Sequence, residues 1–237
     1  MQITERLARR RALVVGVGGL GAPAAAALAE AGVGTIGLVD PDTVDLSNLH
    51  RQPLYATADL GRAKVDVAAT RLAVSTPAPR VVTWRRRFER DDVALVRDFD
   101  VVLDGTDSLA AKFCVNDAAV AAGVPLVHAG VTGLDAQLMT ILPGTSACYR
   151  CVFEEAPPPD EVPSCEEAGV LGPLPALAGT LQAAEAVRIL CGGRAAFADR
   201  LLTFDARAGK SRLVPLAPNP RCPVCDAGRT IGRSEAS

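Results

Sequence analysis

The sequence predicts an α/β fold: a doubly wound, mostly parallel sheet with a C-terminal antiparallel extension. Three observations predict it. A strand–glycine turn–helix–strand unit opens the chain, apolar runs then alternate with helical stretches over short links, and two Cys-x-x-Cys pairs stand about 70 residues apart near the end.

Ala12 to Val15 is an apolar run too short for a helix, and Gly16, Gly18 and Gly21 follow it as G-x-G-x-x-G. Ala22 to Ala31 is an alanine-rich helix, and a second apolar run, Thr35 to Val39, ends at Asp40. Strand, tight turn, helix, strand and acid in that order open a Rossmann-like nucleotide-binding sheet. Glycines let phosphate approach the helix N-terminus, where free N–H groups and the dipole attract anions. Asp40, 19 residues past Gly21, stands where a carboxylate accepts hydrogen bonds from ribose hydroxyls. This much indicates an adenine nucleotide and leaves NAD and ATP both open.

Asp40-Pro41-Asp42 is a turn, and a polar segment runs to Gln52. A helix over about 61–72 carries Lys64 near its start; Val81 to Arg86 alternates as a strand; 91–97 is a short helix; 101–103 is a buried strand closed by Asp104-Gly105-Thr106-Asp107. The helix over 108–122 stops at Gly123 with Pro125 beyond it. Strands over 126–129 and 136–142, a proline-rich acidic loop over 154–164, a long helix over 173–190 and a strand pair over 201–204 and 211–216 complete the pattern. The first eleven residues are basic without structure signals, and the last dozen read as disordered.

Seven cysteines in a chain without a secretory pattern indicate metal or catalysis in a reducing compartment, hence the cytoplasm. Cys148-x-x-Cys151 and Cys222-x-x-Cys225 supply four soft ligands, the requirement of a closed tetrahedral Zn²⁺ site that pins the C-terminal extension to the sheet. The alternative is two unrelated buried pairs. Cys114 and Cys191 lie in helical, apolar contexts and read as buried packing; Cys165, in Pro-Ser-Cys-Glu-Glu, reads as an exposed thiol. A net charge of −2 argues against nucleic acid as partner, no apolar run is long enough for a transmembrane helix, and Arg85 to Arg87 read as a solvated strand edge.

The polar segment decides the nucleotide. In Asp40-x-Asp42-x-Val44-x-x-Ser47-Asn48-Leu49-x-Arg51-Gln52, followed by Lys64, the two cations indicate the extra charge of a triphosphate, and no Walker A sequence is present. This segment resembles the ubiquitin-activating superfamily, in particular its ThiF/MoeB-type members. The resemblance runs from Ala12 to Cys225 and takes in Gly16-Val-Gly-Gly-Leu-Gly21, Asp104-Gly-Thr-Asp107, both cysteine pairs, Cys165-Glu-Glu-Ala-Gly-Val-Leu-Gly-Pro173 and Gly179-Thr-Leu-Gln-Ala-Ala-Glu185.

The resemblance implies a nucleotidyltransferase that adenylates the C-terminal glycine of a small ubiquitin-like sulfur carrier ending in Gly-Gly, using ATP and Mg²⁺ and releasing pyrophosphate. Gly19 would lie against the nucleotide, Asp40 and Asp42 beside the ribose, and Asn48, Arg51 and Gln52 at the phosphates. Arg51 and Lys64 would offset charge as pyrophosphate leaves, Asp107 would hold Mg²⁺, and Ser108 would stand where relatives carry asparagine. Cys165 matches the position that links covalently to the carrier in some members. Relatives form homodimers in which an N-terminal arginine reaches the neighbouring site; Arg6, Arg9 and Arg10 are the candidates here. Sulfur would come from another protein. The division expected is one domain, with a nucleotide-binding part over 1–143, the zinc site, crossover loop and carrier-binding part over 144–226, and a tail over 227–237. The alternatives are a non-catalytic carrier-binding relative and an NAD-dependent oxidoreductase.

Overall fold

The computed structural model describes residues 3–155 and 169–225. Five parallel strands form its centre: β1 (Arg11–Val15), β2 (Thr35–Val39), β3 (Arg80–Trp84), β4 (Val101–Asp104) and the first part of β5 (Leu126–Thr132). Then the direction reverses. β6 (Asp135–Ile141), β7 (Arg200–Asp205) and β8 (Lys210–Pro215) each pair antiparallel to the strand before, giving the order β3-β2-β1-β4-β5-β6-β7-β8. The doubly wound sheet and its antiparallel extension are both as expected.

Helices cover both faces. α2 (Gly21–Glu30), α3 (Lys64–Leu72) and α7 (Pro173–Leu190) pack on one side; α4 (Val93–Val96), α5 (Leu109–Ala122) and α6 (Tyr149–Val152) pack on the other. β1 shows the period-2 logic of a strand buried on both faces: Ala12 and Val14 point into the first core, Leu13 and Val15 into the second. Two 3₁₀ turns, Leu46–Arg51 and Thr57–Asp59, lie between β2 and α3.

The departures are local and have causes. The basic N-terminus forms a short helix, α1 (Ile3–Leu7), because a single buried side chain, Leu7, anchors it and Arg6 donates to the Cys191 carbonyl. One apolar residue in a basic run is too little pattern to read as a helix. α3 begins at Lys64 and not near 61, because Gly61 sits in a left-handed turn and Ala63 is extended. β3 ends at Trp84; Arg85 to Arg87 are exposed beyond it, and Arg86 pairs with Asp92 at 2.6 Å. Cys114 and Cys191 are half-buried, less enclosed than their apolar neighbours suggest. The proline-rich loop beyond 155, Cys165 and the tail over 227–237 lie outside the described residues. Among the described residues no helix is long and apolar enough to cross a membrane.

Candidate functional site

The site is assembled at the carboxyl ends of β1, β2 and β4, where a doubly wound sheet opens a crevice. Gly16 leaves β1 with φ +82, and its N–H donates to the Val39 carbonyl at 2.8 Å. A β-carbon on Gly21 would stand 1.8 Å from the Gly16 carbonyl oxygen, so α2 starts as close to the turn as backbone allows. Gly105 N donates to the Val15 carbonyl at 2.8 Å, which sets the β4 turn against the same place. α2 has no side-chain cap and no acid in its first turn, so the positive end of its dipole is available to an anion.

Asp40, 5% exposed, is at the end of β2. Its Oδ2 accepts from Val17 N at 2.6 Å and its Oδ1 from Asp42 N at 2.8 Å. Burial raises its pKa above 3.8, against the opposing pull of the Val17 N–H, Lys64 and the Asp42 N–H. The carboxylate expected at the ribose therefore also holds the glycine turn to β2. Tyr55 locks the turn from another side, donating to the Val17 carbonyl at 2.7 Å.

The polar segment wraps over this turn. Asp45 caps its 3₁₀ turn by accepting from Ser47 N at 2.8 Å. Arg51 Nη2 donates to Asn48 Oδ1 at 2.6 Å, joining two residues assigned to one ligand. A β-carbon on Gly19 would lie 3.1 Å from both the Arg51 carbonyl oxygen and Pro175 Cβ, and Gln52 is buried beside Gly18. Lys64 stands at the start of α3 with its side chain only 6% exposed, and its Nζ donates to Asp42 Oδ2 at 2.9 Å while Asp42 remains 59% exposed. The buried ammonium is thus fixed by a carboxylate that is itself open to solvent. Asp107 is exposed on the β4 turn. Ser108, also exposed, accepts from Ala111 N at 3.2 Å through its Oγ and caps α5.

Sequence reasoning missed the charged cluster beneath the β4 turn. Asp104 Oδ2 accepts from His128 Nδ1 at 2.7 Å and from Lys112 Nζ at 3.3 Å. Asp104 Oδ1 takes the Thr106 N–H and hydroxyl, and Gln182 Nε2 donates to the Asp104 and Val127 carbonyls. The available signals were His128 inside the apolar run of β5 and Lys112 in an alanine-rich helix. Burial would raise the Asp104 pKa, but Lys112 and His128 outweigh it and keep the carboxyl well below the usual range. Burial pushes His128 below 6.5, so its imidazole is neutral with the proton on Nδ1, next to Asp104, Lys112 and the Tyr149 ring 4.6 Å away.

A pH dependence follows. The unfolded chain takes up a proton as pH falls through 6.5 and the folded chain does not, so the fold is favoured above 6.5 and weakened below it. The expected loss is about 1.4 kcal/mol per pH unit until the lowered folded pKa is reached. Urea unfolding between pH 7.5 and 5.5 measures it. His128→Gln should remove about one proton from the slope, and an unchanged slope would contradict a neutral His128.

The four expected metal ligands meet. Cys148, Cys151, Cys222 and Cys225 place their sulfurs within 4.8 Å of one another, with separations of 3.8, 3.6 and 3.4 Å for three pairs. A tetrahedron with metal–sulfur bonds of about 2.3 Å has edges of about 3.8 Å, so the donor set fits a thiolate-bound metal. Asn116 Oδ1 accepts from Tyr149 N at 2.9 Å and fixes the start of the first pair.

A model of the ThiF family matches residues 2–224. A sulfur carrier protein adenylyltransferase of Thermus thermophilus is 44% identical over 227 residues, covering 93% of this chain and 84% of that one. The SAMP-activating enzyme E1 of Haloferax volcanii is 41% identical, covering 94% and 83%. Mouse adenylyltransferase and sulfurtransferase MOCS3 is 41% identical, but its match takes in 96% of this chain and only 50% of the relative. Among solved structures, E. coli MccB superposes with a TM-score of 0.83 at 21% identity over 94% of this chain and 67% of that one, a likeness of fold alone. The family model spans nearly the whole chain and takes in the glycine turn, the polar segment and both cysteine pairs except Cys225: the protein belongs to the ThiF family.

Proposed function

We propose that this chain adenylates the C-terminal glycine of a small ubiquitin-like sulfur carrier. The observation that carries the reading is the grouping of Gly19, Arg51 and buried Lys64 around one glycine turn. Support comes from a relative named a sulfur carrier protein adenylyltransferase and one named a SAMP-activating enzyme E1, which the chain matches over 84% and 83% of their length. A carrier carboxylate oxygen attacks the α-phosphorus of ATP, the bond to the bridging oxygen breaks, and pyrophosphate leaves with that electron pair. Such a displacement needs alignment and charge neutralisation more than a base.

In this reading Gly16, Gly18, Gly19 and Gly21 admit the phosphates to the α2 terminus. Asp40 and Asp42 face the ribose, and Asn48, Arg51, Gln52 and Lys64 hold the phosphate oxygens. Asp107 holds Mg²⁺, which neutralises triphosphate charge. Cys148, Cys151, Cys222 and Cys225 would hold zinc, which would tie the C-terminal extension to the sheet domain. The enzyme works in the cytoplasm as a homodimer and receives sulfur chemistry from a separate donor, with Cys165 as the acceptor in any covalent carrier link.

ATP–pyrophosphate exchange with carriers ending in Gly-Gly tests this. Arg51→Ala is expected to lower exchange at least about 100-fold without changing the melting temperature. Absence of exchange with every such carrier, from folded metal-loaded protein, would refute the reading. Cys165→Ala should leave exchange intact and abolish a carrier adduct; an adduct that persists would remove Cys165 from that role.

A further inference from the structure

Lys112 is a lysine on α5 that neither the motifs nor the proposed reaction uses. Its ammonium has three N–H donors, and the structure provides three acceptors: the Thr106 carbonyl at 2.7 Å, the Ala129 carbonyl at 2.8 Å and Asp104 Oδ2 at 3.3 Å. Every donor is spent, and the side chain is 7% exposed. Burying such a pair is a poor way to gain stability, because desolvation offsets most of the attraction. What the arrangement does accomplish is geometric.

Thr106 is gripped at both ends of its backbone. Asp104 Oδ1 takes its N–H at 3.0 Å and its hydroxyl at 2.6 Å, and Lys112 takes its carbonyl. The held carbonyl belongs to the peptide that joins Thr106 to Asp107, the exposed carboxylate of the β4 turn. Gly105, one residue earlier, nests against the Gly16 and Gly21 backbone, where a β-carbon would lie 2.6 Å from the Gly16 oxygen. The turn is thus fixed on one side by the nucleotide loop and on the other by Lys112. The charges also close: Lys112 balances Asp104 and His128 is neutral, so the clamp sets the turn's position without adding a net charge of its own.

We propose that Lys112 is a positioning residue that holds the Thr106–Asp107 peptide so that Asp107 meets the metal-bound triphosphate. The inference rests on the reading of Asp107 as the Mg²⁺ residue, and the test separates the two. ATP affinity is measured without carrier, with and without Mg²⁺, for wild type, K112M, K112R, D107A and K112M/D107A. Wild type gains affinity from Mg²⁺. K112M is expected to lose about tenfold of that gain with metal-free ATP affinity unchanged, a split that a general loss of structure would not produce.

K112R keeps the pair with Asp104, but a planar guanidinium does not reproduce three converging bonds. It should fold and lose about threefold, which keeps the test available should K112M not fold. In the D107A background, K112M should cost nothing further. Equal loss of metal-free and metal-dependent affinity, or additive losses in the double variant, would overturn the role of Lys112. A D107A protein that retains the full Mg²⁺ gain would overturn the reading of Asp107 itself, and this inference with it.

Discussion

Exchange of Cys222 for serine is expected to lower the melting temperature by about 8–16 °C, the equivalent of about 4 kcal/mol or more in a chain of this size. Cys148, Cys222 and Cys225 are buried in the second core cluster beside Met139 and Tyr149, so the ligands are part of the packing. In the proposed metal centre, loss of one thiolate would remove a bond to the ion and leave its partners as close, poorly packed thiols. Metal release on thiol modification should give one zinc per chain, and chelation of the wild type should reproduce the stability of the variant. Protein purified without metal and melting at the wild-type temperature would contradict this. The effect should be confined to the second core: α2 and the glycine turn belong to the other cluster.

Gly21→Ala is expected to have the larger effect on folding itself. The added β-carbon would stand 1.8 Å from the Gly16 carbonyl oxygen and 3.0 Å from Val14 Cγ1. The first obstacle is backbone, which cannot swing aside as a side chain can. The cost should exceed about 4 kcal/mol, in the range of severe core disruption. Gly123→Ala is the control: it caps α5 at φ +72 with nothing within 4 Å of its β-carbon, so only left-handed strain applies, about 1–2 kcal/mol. Soluble expression and near-ultraviolet circular dichroism should separate the two. A Gly21→Ala protein as stable as Gly123→Ala would mean that the turn yields more readily than its contacts indicate.

Both effects fall on features that spacing alone makes readable. The glycine turn is local, and each cysteine pair spans four residues, so the chemistry of neighbours in sequence was enough to identify them. The antiparallel extension was also legible, because Leu201 to Phe204 and Ser211 to Leu216 read as a strand pair without a helix between them. What escaped was contributed by residues far apart. Asp104, Lys112, His128 and Gln182 meet across 78 positions, and the bonds that join them run between different elements. α1 escaped for a different reason: its burial rests on Leu7 alone. The hydrogen bond by which the Ser108 hydroxyl caps α5 is set by the helix terminus and is not visible in the motif.

The packing of α7 has a consequence for synthesis. Its N-cap and first half touch the opening of the chain at three places. A β-carbon on Gly179 would lie 2.1 Å from the Leu20 oxygen, one on Gly172 would lie 2.7 Å from the His50 oxygen, and Pro175 abuts Gly19. On the ribosome, the alanine face of α2 therefore waits uncovered while more than a hundred further residues are made, since its cover arrives only with residues 173–190. The nucleotide crevice is completed late, by a helix from the far end of the chain. Such a non-local closure slows folding, and a fragment ending before α7 carries the glycine motif without the wall that encloses it.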